Sequence, residues 1–155
     1  MPTRLNDLLL IIHILSAAAW IGGGLLNGFI APRITRSGVD GAALAWARVA
    51  AQAGTRFFNP AGLLTALSGI GLVVVSDVYD WSDTFVSIGL GVVIAAGLIG
   101  ALVHRPGGER IITALESGDT AAAARDGKQA AIWGAVTIVL LIVALVVMVL
   151  KTGSG

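Results

Sequence analysis

Four long apolar stretches separated by short polar connections organise this chain. The first, Leu8 to Ile30, runs for 23 positions without a formal charge. Phe57 to Ser76, Phe85 to Val103 and Ala130 to Leu150 follow, with 20, 19 and 21 residues and no Asp, Glu, Lys or Arg in any of them. At about 1.5 Å per residue, roughly 20 helical residues cross the ~30 Å hydrocarbon core of a bilayer. The pattern therefore predicts an all-α polytopic membrane protein, a four-transmembrane-helix bundle forming a single domain over residues 1–155.

Local signals place the helix ends. Asn59-Pro60 offers a capping side chain before a proline that needs no N–H in the first turn, so the second span is expected to start near Asn59. Arg105-Pro106-Gly107-Gly108 is expected to stop the third. Between spans, Gly41 to Gly54 and Glu109 to Gln129 read as short, partly amphipathic helices lying on the membrane surface with arginines among the head groups. For the second of these, a solvated alanine-rich linker fits the residues equally well. Each connection precedes a span, as in two tandem hairpins, but the halves are too dissimilar to define a repeat.

Polar positions inside the spans are few. His13, Trp20 and Asn27 are seven apart, a spacing that drifts only about 20° per step on a helix, so all three are expected on one inward face, with Ser16 and Gly23 beside them. Two readings follow. In one, a small cavity bounded by Trp20 lets His13 bind a haem iron, another metal or a proton. In the other, His13 is satisfied by a neighbouring hydroxyl such as Thr65 or Ser68 and only holds helices together. Small residues at four-residue spacing mark the expected helix contacts: Ala19 and Gly23; Ala61, Thr65 and Gly69; Ser87, Gly91 and Ala95. The fourth span lacks such a stripe and is expected to present more surface to lipid.

Composition agrees with the pattern. Hydrophobic residues make up 56% of the chain and charged residues 12%, and the mean hydropathy is +0.90. Cysteine is absent, which removes disulfides, thiolate metal sites and thiol catalysis. Eight of the ten Lys and Arg residues lie in two connections, Arg33, Arg36, Arg48 and Arg56 in one, Arg105, Arg110, Arg125 and Lys128 in the other. Arg4 and Lys151 lie at the opposite side with the acidic turn Asp77, Asp80 and Asp83. By the positive-inside rule both termini lie outside a bacterial cytoplasmic (inner) membrane and the basic connections inside, with Tyr79 and Trp81 anchoring the outer interface and Trp133 the inner one. Ala17-Ala18-Ala19 fits a signal-peptidase pattern, but the apolar run continues for eleven residues beyond it and the leader carries Asp7, so the segment reads as a span.

Several function classes have no residues to carry them. The spans hold no carboxylate or lysine for a proton relay, and Met1 and Met148 are the only soft ligands for copper. No phosphate loop, Ser-His-Asp set or HExxH motif is present, so no catalytic residues are assigned. The basic connections are short and poor in aromatics, which points to anionic lipid and not to nucleic acid. His104, near the opposite end of the bundle, is too distant from His13 to share an iron within one chain, although two copies of the chain offer two His13 rings.

The segments His13-Ile-Leu-Ser-Ala-Ala-Ala-Trp20-Ile-Gly-Gly, Ala31-Pro-Arg33, Asn59-Pro60-Ala-Gly62, Ser68-Gly69-Ile-Gly71, Trp81 and Met148-Val-Leu-Lys151 resemble bacterial integral membrane proteins of domain of unknown function 2269. That resemblance implies a four-span fold and no activity. More distantly, the His-x6-Trp-x-Gly first helix is similar to copper resistance D proteins and to the membrane-type protoporphyrinogen oxidase, which is haem-linked and uses a first-helix histidine. Only His13 carries over: the oxidase's Tyr-Leu-Pro-Arg-Leu signature is replaced by Ala31-Pro32-Arg33-Ile34, and the third span has no lysine. The expectation is thus a haem- or redox-associated membrane protein or accessory subunit, with haem b as the implied cofactor, His13 its axial ligand, and Trp20 and Asn27 beside it. The alternative is a structural or assembly subunit without cofactor, partnered by the lipid bilayer and by another membrane protein or a second copy.

Overall fold

The structure, a computed structural model, describes residues 2–75 and 78–151; Ser76, the expected end of the second span, and Asp77 of the acidic turn lie outside the described residues. The helices are α1 (Pro2–Thr35), α2 (Ala42–Ala53), α3 (Asn59–Val75), α4 (Thr84–Ile99), α5 (Arg105–Glu116) and α6 (Thr120–Leu150). Joined where they run on, they make four helices long and apolar enough to cross a membrane: Arg4–Thr35, Ala42–Val75, Thr84–Glu116 and Thr120–Leu150. The all-α four-helix bundle read from the sequence is the observed architecture, with no strand among the described residues.

Helix continuity corrects the expected ends. The second span does not start at Asn59, and the third does not stop at Arg105. α2 passes into α3 through a π-helical turn at Gly54–Phe58, where the Asn59 N–H donates to the Gly54 carbonyl. α4 passes into α5 through a second such turn at Gly100–His104, where the Arg105 N–H donates to the Gly100 carbonyl. Each wide turn ends two residues before a proline, Phe58 before Pro60 and His104 before Pro106. A proline ring lacks an N–H and crowds the carbonyl four residues back; an i to i+5 turn widens the helix at that level and lets it continue. The amphipathic segments are accordingly extensions of the spanning helices and not separate surface helices. At 1.5 Å per residue, helices of 31–34 residues run for about 46–51 Å, well beyond a ~30 Å core.

These extensions assemble at the end of the bundle opposite the termini. Arg48 of α2 meets Glu116 of α5 at 2.8 Å, and Arg110 of α5 lies 3.6 Å from Asp126 of α6. α5 ends where Gly118 takes φ +76°, and the Asp119 N–H returns to the Ala114 carbonyl at 2.9 Å. Glycine suits this left-handed position because it has no Cβ to clash. Asp119 then caps α6, its carboxylate accepting from the Ala122 N–H at 2.9 Å, as expected of an acidic N-cap.

Within the spans, the helices pair as α1 with α3 and α4 with α6, whereas α3 and α4 scarcely touch. Along the α1–α3 seam Leu9 faces Gly71, His13 faces Gly69, Trp20 faces Gly62, and Gly23 faces Phe57 and Phe58. The numbers rise on one helix as they fall on the other, so the pair is antiparallel. The second seam is built on Val92, Ala96, Leu141 and Ala144, with Gly89 against Met148. On α4 this corrects the expected stripe: Ser87 and Gly91 are exposed, and Phe85, Gly89, Val92 and Ala96 form the buried face. The fourth span is also not the most exposed. Its apolar window is 17% buried, against 6% for the first span and 28% for the second.

Candidate functional site

His13 is held from one side of its ring. Its Nδ1 lies 2.9 Å from the Thr65 carbonyl oxygen and 3.3 Å from the Ser68 hydroxyl. A carbonyl only accepts, so Nδ1 carries the proton and a neutral ring presents its lone pair on Nε2. The sequence permits this approach through Gly69. A side chain at that position would point back over the turn containing Thr65; a Cβ there would sit 3.0 Å from the His13 Cε1 and 3.2 Å from its Nδ1. Nε2 has no hydrogen-bond partner among the described residues and is not sealed off as a buried, unsatisfied atom.

Hydroxyls continue the contact. The Thr65 hydroxyl donates to Ser16 Oγ at 2.9 Å, and Ser16 donates to the His13 carbonyl at 3.1 Å. Ser16, Thr65 and Ser68 are all buried, so these groups satisfy one another where lipid offers no partner. The expected Ser68 contact is present, but Thr65 holds the ring by its backbone, and its hydroxyl serves Ser16.

The other two candidates separate from His13. Trp20 lies over Gly62, where a Cβ would come within 3.0 Å of the indole, and packs against the Val92, Ala96, Leu141 and Ala144 cluster. It therefore links the two helix pairs and does not line the cavity that opens beside His13. Asn27 is exposed, correcting the expectation of an inward face. Two heptad steps accumulate about 40° of drift from His13, and at that depth the inner surface of α1 is already taken by Gly23 against Phe57 and Phe58.

A cavity of about 150 Å³ does open beside His13, lined also by Gly69, Tyr79, Trp81, Phe85 and Gly89. It lies where α3 and α4 fail to close, under the turn that joins them. Tyr79 stands edge-on to Phe85, with ring centroids 5.7 Å apart. The sequence assigns Tyr79 and Trp81 to the interface only, because nothing local shows that the turn closes over the cavity that His13 lines. The available signal is the glycine pair Gly62 and Gly69, seven apart like Trp20 and His13 and matched to them in reverse order.

Within one chain the cavity does not fit a haem. About 150 Å³ is half the ~300 Å³ lower bound for pockets that take drug-sized molecules, and a porphyrin is larger than most of those. His104 is engaged elsewhere, with Nε2 3.4 Å from the Thr137 hydroxyl. Among the described residues no group of three or more His, Cys, Asp or Glu is placed to hold a metal ion. Comparison of the chain with models of protein families, with curated proteins and with solved structures yields no match. Fold and site together define an all-α bundle of four potential membrane-spanning helices with one anchored histidine beside a ring-sized cavity.

Proposed function

We propose that this protein binds a small apolar guest drawn from the bacterial cytoplasmic membrane and presents it to His13, acting as a binding protein or accessory subunit of membrane redox chemistry. The observation that carries the proposal is that His13, tethered through Nδ1 and with Nε2 left as its uncommitted ring nitrogen, lines a cavity of about 150 Å³. An apolar cavity of that size is large enough to take up benzene or xenon. In this reading the association with redox chemistry rests on a single-ring guest and not on a haem. The charge distribution supports both termini outside and the basic extensions in the cytoplasm; reporter fusions after Gly54 and Asp80 are expected to fall on opposite sides.

Fluorobenzene and ¹⁹F NMR test the binding in lipid nanodiscs. Saturable binding that is lost in Ala66→Trp, which fills the cavity, is the expected result. Identical, unsaturable partitioning in both proteins would overturn the proposal.

A second reading is favoured by the low burial of the first span, 6% of its apolar window. Leu8, Ile11, Leu15, Leu25, Leu26 and Phe29 all face outward, leaving a side on which another membrane subunit or a second copy can pack. Because the chain has no cysteine, a single Leu15→Cys substitution reports self-association directly by disulfide formation. Absence of a cross-linked species in native-like membranes would remove the second copy as the occupant.

A further inference from the structure

We infer that the cavity selects a ring bearing a hydroxyl donor, a phenol or hydroquinone, over the corresponding ether or quinone. This rests on the proposal that the cavity takes a guest. The Nδ1 proton is committed to the Thr65 carbonyl, with Ser68 sharing it, so the nitrogen that the neutral imidazole keeps for a guest is an acceptor. An acceptor recognises O–H or N–H and gives nothing to a ketone or ether oxygen.

Tyr79 also lines the cavity, and its hydroxyl accepts as well as donates; loss of the phenol preference in His13→Phe separates Nε2 from it. Trp81 and Lys151 contribute only donors. The Thr65 hydroxyl donates toward Ser16 Oγ and the Ala61 carbonyl, at 2.9 and 2.8 Å, and at 5% exposure its oxygen is withdrawn from a guest. The remaining wall is largely aliphatic and aromatic, including Leu10, Ile70 and Phe85. A guest of matching chemistry has one six-membered ring, its hydroxyl at Nε2 and its apolar body among these side chains. In a low-dielectric site the pairing of a buried lone pair with a donor distinguishes strongly between otherwise similar rings. Reduced and oxidised forms of a quinone differ in this respect, so the site retains the reduced form and releases the oxidised one.

The test compares 4-fluorophenol, 4-fluoroanisole and fluorobenzene in nanodiscs by ¹⁹F NMR, with partitioning into protein-free nanodiscs subtracted. The phenol is expected to bind about tenfold more tightly than the anisole, the difference of roughly one hydrogen bond. His13→Phe is expected to abolish that preference while fluorobenzene still binds. In wild-type protein with ¹⁵N-labelled histidine, the His13 Nε2 resonance is expected to shift with the phenol and stay with the anisole; this readout decides the question if His13→Phe does not fold. Equal affinities for phenol and anisole, a preference that survives His13→Phe, or an Nε2 resonance unmoved by saturating phenol would overturn the inference. If fluorobenzene still saturates in those cases, the cavity proposal survives without it. If no ring binds, both fall.

Discussion

The two seams of this bundle are antiparallel and both use small residues, yet they hold by different means. Between α4 and α6 the contact is apolar at its centre, with Val92, Ala96, Leu141 and Ala144 closing on one another, and the long His104–Thr137 contact of 3.4 Å lies beyond it at the π-helical turn. Between α1 and α3 the same closeness places glycines opposite an indole and an imidazole, and adds hydrogen bonds from His13, Ser16 and Thr65. In lipid, burial of apolar surface gives helices little reason to associate, so fit decides the first seam, and fit plus polar pairing the second. The polar seam gains a reactive group by this arrangement. A glycine that uncovers a backbone carbonyl provides an anchor for one ring nitrogen and leaves the other for external chemistry.

Removing packing from the apolar seam is expected to have the largest effect. Leu141 is 6% exposed, and Leu141→Ala should cost about 2–4 kcal/mol by leaving a void, measured by steric trapping in bicelles. A loss below 1 kcal/mol would mean that the seam repacks and is not a fitted contact. Gly62→Val should follow, at about 1–3 kcal/mol, because its Cβ starts 3.0 Å from the Trp20 ring and cannot enter without displacing it. Gly91→Ala is the control: nothing lies within 4 Å of the new methyl, and thermal stability in detergent should be unchanged or slightly raised.

Polar pairing is expected to contribute less. Ser16→Ala should cost about 0.6 kcal/mol, the average for hydrogen bonds between membrane helices. A cost above 2 kcal/mol would make the hydroxyls, and not the glycines, the main determinant of the α1–α3 seam. Outside the spans, Arg48→Ala removes an exposed ion pair with Glu116 and should cost only about 0.2–1 kcal/mol, less at high salt. The smallest effect concerns the turn between α3 and α4. Hydrogen bonds from the Ser82 hydroxyl and backbone N–H hold the Asp80 carboxyl below its ordinary value of 3.8. A lowered value means that the stabilisation is present above 3.8 and disappears as the pH falls through the lower value of the folded protein. Amide exchange at Ser82, corrected for its intrinsic pH dependence, should therefore lose protection only in acid; protection unchanged to pH 2 would show that the carboxylate does not order this turn.

Much of the architecture was legible because a bilayer imposes a length and a polarity on each span. Over their described residues the four apolar runs all lie in helices, and His13 stands at a polar contact as its depth implies. The helix ends were not legible at Asn59-Pro60 and Arg105-Pro106, because a proline read alone signals a boundary, while a wide turn before it preserves the helix. Heptad spacing identified His13 and Trp20 as neighbours on one face but assigned them one role; the partners opposite, Gly69 beside a hollow and Gly62 beneath a packed ring, give them two. Asn27 was lost to accumulated drift. Tyr79, Trp81 and Phe85 were hidden as site residues because their approach to His13 depends on how the turn folds over the gap between α3 and α4, which no local pattern encodes.

The two π-helical turns also set the angular phase of the bundle. Each inserts one residue beyond the α-helical repeat, which rotates everything on its far side by about 100° relative to an uninterrupted helix. α2 and α5 both lie beyond such a turn, and their faces meet through Arg48 and Glu116. Deleting one residue from Gly54–Phe58 alone would swing α2 out of alignment with an unmoved α5. The two insertions thus behave as matched dials, each tolerable because the other is there.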